Sequence, residues 1–225
     1  DIRYITSSDG FKLAYRVWKP RTRHPPVGLV HILHGMAEHS GRYEEFALWL
    51  AARGFIVCAH DHRGHGHSID KPENRGWFAP QDGWFRVAED AWDLLGHSMG
   101  SMLARTVMVL HPELYSGVII CGTAGSQGIL GRLGLMLASL EIRRHGSHHV
   151  STMMDKLSFG SYNKKFAPNR TSSDWLCRNN QAVDAYLADD LCGFVCTSGF
   201  YKDLLTGIAF VNSPKNAARV PRDLP

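Results

Sequence analysis

Residues 96–100 read GHSMG, so that a serine stands between two glycines at the spacing G-x-S-x-G. This spacing is typical of a serine on a very sharp turn between a strand and a helix, where side chains two positions away would clash. A helical run at residues 101–110 follows and stops before His111-Pro112. Backbone N–H groups at the start of that helix can receive a developing oxyanion, and we expect the Met99 N–H to be one of them. Ser98 is therefore the candidate nucleophile.

A second glycine-containing segment, HGMAEHSGRY at residues 34–43, follows an apolar run at residues 27–33. The run is rich in β-branched residues and predicts a buried parallel strand. An oxyanion hole takes its second donor from a loop of this kind, in which glycine lets the backbone come close. We expect the Met36 N–H to be that donor.

The segments around these two motifs predict the elements that position them. Residues 2–19 alternate like a hairpin around Ser8-Asp9-Gly10, and residues 55–60 form another predicted strand after a helix that Gly54 ends. Residues 115–121 predict the next buried strand. Strands that alternate with helices predict an α/β protein with a doubly wound, mostly parallel sheet.

Three motifs in this order, HGMAEHSGRY, DHRGHGHS and LLGHSMGS, resemble the monoacylglycerol lipase and lysophospholipase branch of the α/β-hydrolases. The runs at residues 157–163 and 190–194 resemble bacterial, serine aminopeptidase-like members of that branch. The resemblance covers nearly the whole chain. It implies a serine carboxylic-ester hydrolase that cleaves monoacylglycerols or lysophospholipids through an acyl-enzyme at Ser98, with no cofactor. By the same resemblance Glu38 and Arg42 line a polar exit for glycerol or a headgroup, although a loop-bracing ion pair explains them equally well.

The hydrophobic pattern changes at Gly125, where helical apolar stretches replace the strands. We expect residues 1–124 to be the N-terminal part of the hydrolase core, residues 125–210 an inserted helical lid, and residues 211–225 a truncated return to the core. The methionines and leucines of the lid suit an acyl-chain pocket. Packing of the lid on the core would account for most of them as well.

Two departures from the family pattern concern the completeness of the core. A crossover needs a helix and then a strand of about five residues, whereas little more than Leu94-Leu95 separates the predicted helix from Gly96. We therefore expect residues to be missing near Asp93 to Leu95. The order Ser, acid, His of this fold is also incomplete, since Asp223 is not placed as the acid. None of the later histidines (His111, His145, His148 and His149) fits as the base. We expect the C-terminal part of the core, with the triad Asp and His, to follow Pro225.

Composition limits the partners and the location of the protein. The chain has 225 residues, 44% of them hydrophobic, and a net charge of +4 from scattered Lys and Arg. These values suit one globular domain and disfavour nucleic acid as a partner. The sequence contains no apolar run of 18 residues, and we expect no membrane-spanning segment and no secretory signal. The five cysteines favour free thiols. We expect a cytoplasmic protein that takes a small acyl ester or lipid substrate. Arg143-Arg144 and His148-His149 are candidates for transient contact with an anionic membrane surface, although a solvated loop is the more common outcome for so short a run. The oligomeric state stays open.

Other chemistries remain as alternatives. His60, Asp61, His62, His65 and His67 suggest a metal site, but Gly64 and Gly66 favour a structural turn, and we expect no metal. Cys192 and Cys196 are four apart on a predicted helix, without a second pair that would complete a zinc site. An aminopeptidase, a small-ester carboxylesterase, a catalytically incomplete binding module and, more remotely, a metal-dependent hydrolase are the rival functions.

Overall fold

A computed structural model describes residues 1–22, 24–91, 95–114, 117–222 and 224. Within these ranges one sheet has six strands in the order β1-β2-β4-β3-β5-β6. The strands are β1 Arg3–Thr6, β2 Lys12–Trp18, β3 Gly28–Leu33, β4 Phe55–His60, β5 Leu95–His97 and β6 Ile119–Cys121. The pairs β1–β2 and β2–β4 are antiparallel, whereas β4, β3, β5 and β6 run parallel. The predicted hairpin and the predicted mostly parallel sheet are confirmed.

Helices cover both faces of this sheet. The described α-helices are α1 Glu44–Ala51, α2 Gly83–Glu89, α3 Met99–Leu110, α4 Gly128–His145, α5 Thr152–Phe159, α6 Asn180–Leu187, α7 Ser198–Val211 and α8 Pro214–Ala217. Successive residues of β3 point to opposite faces: Ile32 belongs to one buried cluster with Ala47 of α1, and Leu33 to another with Leu103 of α3. The sheet is therefore doubly wound, with the larger core on the α3 side.

The strand predicted at residues 115–121 is only partly correct. Its described part, β6 Ile119–Cys121, is exposed rather than buried, and Ile119 is 60% exposed. The reason is that β6 stands at one edge of the described sheet and pairs only with β5. Tyr115 and Ser116 lie outside the described residues, as do residues 92–94, so the expected gap near Asp93 to Leu95 stays a prediction.

The segment after β6 is mainly helical, in the region where a lid is predicted. Helix α7 packs on α4 and also on α2 and α3. The predicted boundary at residue 210 thus assigns to the lid a helix that also covers the sheet, and the domain limits stay predictions. The helix predicted around Cys192 and Cys196 is wrong, because both residues lie in the loop between α6 and α7. No helix of the described residues is long and apolar enough to cross a bilayer.

The contact between α7 and α2 depends on a glycine, which gives a test of the core. A Cβ on Gly207 would collide with the indole of Trp84, which is buried and donates a hydrogen bond to Thr106 Oγ1 (2.9 Å). We expect Gly207→Ala to lower the free energy of unfolding by about 1–3 kcal/mol, because overpacking a tight core costs that much. Urea denaturation measures the change.

The matched control is Gly134→Ala in α4, where the added Cβ first meets the flexible end of the Leu205 side chain at 2.9 Å. Alanine favours the helix there by up to about 1 kcal/mol, so we expect this variant to be at least as stable as the parent. Equal stability of Gly207→Ala and the parent would contradict the packing argument.

Candidate active site

Ser98 occupies a strained turn between β5 and α3. Its backbone has φ 53° and ψ −118°, a region that non-glycine residues rarely adopt and that costs about 1–3 kcal/mol. A Cβ on Gly96 would collide with the carbonyl of Gly100, and a Cβ on Gly100 would collide with the carbonyl of Leu33. Both glycines of the G-x-S-x-G motif are thus required by close backbone approach. The geometry is that of a nucleophile elbow.

The two predicted oxyanion donors lie on either side of this turn. Met99 is the first residue of α3, where backbone N–H groups have no acceptor inside the helix. The loop after β3 comes so close that a Cβ on Gly35 would stand 3.3 Å from Ser98 Cβ. Met36 follows Gly35 directly, and Ala37 then takes a positive φ of 52° that turns the chain. The structure brings both segments to Ser98, and the donor roles of Met36 and Met99 stay predictions.

Glu38 holds the loop that carries Met36. Its Oε1 accepts hydrogen bonds from the Gly35 N–H (2.5 Å) and the Tyr43 hydroxyl (2.8 Å), and its Oε2 accepts one from Arg42 Nε (3.0 Å). Burial raises the pKa of this carboxyl, but the neighbouring His97 and His34 and the bond from Gly35 together lower it to about 2. Both oxygens are thus occupied within the protein. These contacts favour the loop-bracing interpretation of Glu38 and Arg42, although the predicted contact with substrate is not tested.

Tyr43 is a member of this site that the sequence did not single out. Its hydroxyl joins Glu38 to Nδ1 of His97 (3.1 Å), the residue before the nucleophile. A tyrosine at the start of a helix has no distinctive sequence signal, because an aromatic residue there more often packs in the core. His97 thus supports this loop through its contact with Tyr43.

The DHRGHGHS segment fixes the loop after β4. Asp61 Oδ1 accepts a hydrogen bond from the Ser40 N–H (2.8 Å), which joins this loop to the one after β3. Arg63 pairs with Asp90 (2.7 Å) and with Asp9 in the turn of the N-terminal hairpin (2.6 Å). Asp61 and Arg63 thus hold the loop after β4 against its neighbours.

His62 of this segment belongs to a buried chain of hydrogen-bonded histidines that runs from β3 and β4 to the loop after β3. His31 Nε2 lies 2.9 Å from His60 Nδ1, and His60 Nε2 lies 3.1 Å from His62 Nδ1. The His62 N–H donates to His34 Nε2 (2.9 Å), directly before Gly35. Burial, and repulsion from His34, lower the pKa of His60 to about 3. Burial, and repulsion from His65, lower that of His34 to about 4.

A family model described as Hydrolase_4, Serine aminopeptidase, S33, matches residues 24–223. The chain belongs to this family. The monoglyceride lipases of Homo sapiens and Mus musculus are 30% and 29% identical to it, and each match covers 100% of this chain and 69% of the relative. A carboxyl esterase from Bacillus coagulans, solved in complex with glycerol, has the same fold, with a TM-score of 0.87 and 24% identity over 100% of this chain and 77% of that one.

These matches confirm the resemblance that the motifs suggested. The Hydrolase_4 chain is a serine hydrolase with the α/β-hydrolase fold, and it is similar to monoglyceride lipases. The family description names a peptidase and the relatives are named as lipases. The family therefore establishes the class of enzyme without its substrate.

The buried histidines make the stability of this hydrolase depend on pH. Their folded-state pKa values of about 3 to 4 lie below the ordinary 6.5, so the unfolded chain takes up protons that the folded chain does not. We expect full stability above pH 6.5 and a loss as the pH falls towards 4, at up to about 1.4 kcal/mol per pH unit for each histidine. Denaturant unfolding between pH 7.5 and pH 4.5 measures this slope.

His65→Phe tests one member of the group. His65 is packed among Phe78, Phe194 and Phe200, and its pKa is lowered by burial to about 4. We expect this variant to have a shallower slope, whereas His24→Gln, at an exposed position, should leave the slope unchanged. A slope that is the same in all three proteins would show that His65 is not one of the titrating groups.

Proposed function

We propose that this protein hydrolyses monoacylglycerols or lysophospholipids through an acyl-enzyme on Ser98. The observation that carries the proposal is the backbone of Ser98, which is held in a strained turn so close to Gly35 that a Cβ on Gly35 would stand 3.3 Å from Ser98 Cβ. The named activity of the relatives, monoglyceride lipase, supplies the substrate class.

In the proposed reaction Ser98 Oγ attacks the acyl carbonyl and its proton passes to a histidine. The Met36 and Met99 N–H groups bind the oxyanion of the tetrahedral intermediate. The protonated histidine then returns the proton to the leaving alcohol, and an acyl-serine remains. Water attacks this ester by the same steps and releases the fatty acid. The position of the histidine and its acid partner after Pro225 remains a prediction.

The apolar surface of α4 supports an acyl-chain substrate. Five large apolar side chains of this helix are exposed, among them Ile129 (75%) and Leu130 (74%), together with Leu133, Met136 and Leu140. Contiguous apolar surface of this kind is rare on a protein without a function for it. We propose that it guides a lipid towards Ser98, and that it also allows transient contact with a membrane surface.

Ser98→Ala tests the nucleophile. We expect the parent protein to form one covalent adduct with a fluorophosphonate at Ser98, and the variant to form none and to lose ester hydrolysis by at least about 10³-fold. Intact mass and peptide mapping detect the adduct. Ser126→Ala, at an exposed position before α4, is the control that should label normally.

The same assay separates the rival functions. Faster hydrolysis of long-chain than of short-chain monoacylglycerols supports the proposal, whereas equal rates would favour a small-ester carboxylesterase. Cleavage of aminoacyl amides in preference to esters would favour an aminopeptidase. A folded parent protein that forms no adduct would favour the binding module.

Glu38→Gln separates the two roles considered for Glu38. The amide leaves the loop between Gly35 and Arg42 with one acceptor and no charge, so we expect kcat to fall by about 10-fold or more while KM stays nearly constant. A residue that binds the headgroup would instead raise KM. Steady-state kinetics with a monoacylglycerol measure both constants, and the exposed Glu44→Gln is the control. A rise in KM alone would contradict the bracing role.

A further inference from the structure

A seam of contacts joins the loop after β3 to the loop between α6 and α7. The carbonyl of Ala37 accepts hydrogen bonds from the Gly193 N–H (2.9 Å) and the Tyr186 hydroxyl (3.3 Å). The guanidinium of Arg42 stands over the Tyr186 ring, 4.7 Å from its centre. We call the loop between α6 and α7 the lid loop. We call these contacts, together with those among His39, Asp189 and Cys192, the lid seam. It lies next to Met36 and Glu38 in the sequence but uses different side chains.

Three potential metal ligands meet in the lid seam. His39 Nε2 lies 2.8 Å from Asp189 Oδ2, and the ligand atoms of His39, Asp189 and Cys192 all lie within 4.8 Å of one another. His39 is buried, and Asp189 and Cys192 are half-buried. Among the residues that the structure describes, this is the one group of at least three such side chains in metal-binding reach.

We propose that His39, Asp189 and Cys192 bind one Zn²⁺ ion, or a similar divalent transition-metal ion, that fastens the lid loop to the loop after β3. An imidazole nitrogen, a carboxylate oxygen and a thiolate are together the donors of a borderline-soft ion, whereas Mg²⁺ and Ca²⁺ prefer oxygen alone. Tetrahedral zinc, with bonds of about 2.0–2.3 Å, separates its ligands by roughly 3.3–3.8 Å. His39 Nε2 and Asp189 Oδ2, which are 2.8 Å apart, therefore need to separate by roughly 0.5 Å. A pair at the 4.8 Å limit needs to close by roughly 1.0–1.5 Å, and a fourth position stays open to water or a ligand.

Charge and protons balance when the ion binds. In the protein without metal the Cys192 thiol, which lies beside Asp189 and Arg42, carries its proton at neutral pH as an ordinary thiol does. A divalent cation displaces that proton to solvent, and its two positive charges then match one thiolate and one carboxylate. The hydrogen on His39 moves from Nε2 to Nδ1, which gives up the hydrogen bond that Nδ1 accepts from the Gly41 N–H (3.2 Å). One proton is released per ion, so binding weakens as the pH falls.

No sequence motif indicates this site, because its ligands come from two distant segments of the chain. His39 stands 150 residues before Asp189. The sequence predicts a helix around Cys192, whereas the structure places this residue in a loop. Of the histidines that suggest a metal site in the sequence, His60 and His62 hydrogen-bond to each other. His65 bonds to the Arg63 carbonyl and His67 to Asp61.

Cobalt is a suitable probe. A Co²⁺–thiolate bond gives a charge-transfer band in the ultraviolet, and a Co²⁺ ion with only four ligands gives strong absorption bands in the visible. We expect the purified, metal-free protein to develop both bands with one equivalent of Co²⁺ and to lose them when Zn²⁺ is added. Cys192→Ser should abolish the charge-transfer band. It should also weaken Zn²⁺ binding by more than about 10-fold, because losing even a residue that only hydrogen-bonds to a metal ligand can reduce the affinity that much.

Two further variants make the test specific. Cys177→Ser removes a different, exposed thiol and should keep the bands. Asp189→Asn can still accept the hydrogen bond from His39 but loses the anionic ligand, so it should weaken Zn²⁺ binding while its melting temperature without metal stays near that of the parent. Thermal melts with and without Zn²⁺ confirm that each variant is folded. Absence of a thiolate band in the parent, or its persistence in Cys192→Ser, would overturn the proposal and leave the cluster as a hydrogen-bonded contact only.

Discussion

The close approach of the start of α3 to the end of β3 is the constraint on which the site depends. The helix comes so near that only a glycine fits at position 100 against the carbonyl of Leu33. The same approach brings Gly35, two residues after Leu33, beside the Ser98 side chain. One backbone contact therefore sets the distance between the nucleophile and the loop of the oxyanion hole. The packing of Leu33 and Leu103 in the large core offsets the strain at Ser98.

Loops at the carboxyl edge of a parallel sheet lack the hydrogen bonds between strands that pair the backbone N–H and C=O groups within the sheet. Side chains must therefore supply hydrogen-bond partners for the backbone of these loops. Here carboxylates do so: Glu38 accepts from Gly35, and Asp61 accepts from Ser40. A carboxylate in such a position is strongly held as the anion, because each N–H bond favours the charged form. The adjoining imidazoles are kept neutral by burial, so this edge gains rigidity at neutral pH and loses it in acid.

The sequence predicts the parts of this architecture that local chemistry decides. The elbow, the hairpin turn at Gly10 and the strands β3 and β4 follow from glycine positions and hydrophobic runs, which act within a few residues. The exposure of β6 does not, because a pattern of apolar residues is the same whether or not a neighbouring strand covers it. The sequence leaves the role of Glu38 open for a related reason. A motif shows which residues are present, whereas the choice between contact with substrate and bracing of the loop depends on which groups lie near Glu38 in three dimensions.

The lid seam links the lid to the machinery at Ser98 by short paths. Ala37, whose carbonyl accepts both bonds from the lid loop, stands between Met36 and Glu38 and has a positive φ. If the lid loop withdraws, the Ala37 carbonyl loses both hydrogen bonds. The loss destabilises the residue at which the loop after β3 turns. A movement of the loop between α6 and α7 would therefore act on the short segment that carries Met36. Coupling of this kind needs no long-range network, because Ala37 directly follows Met36 in the chain.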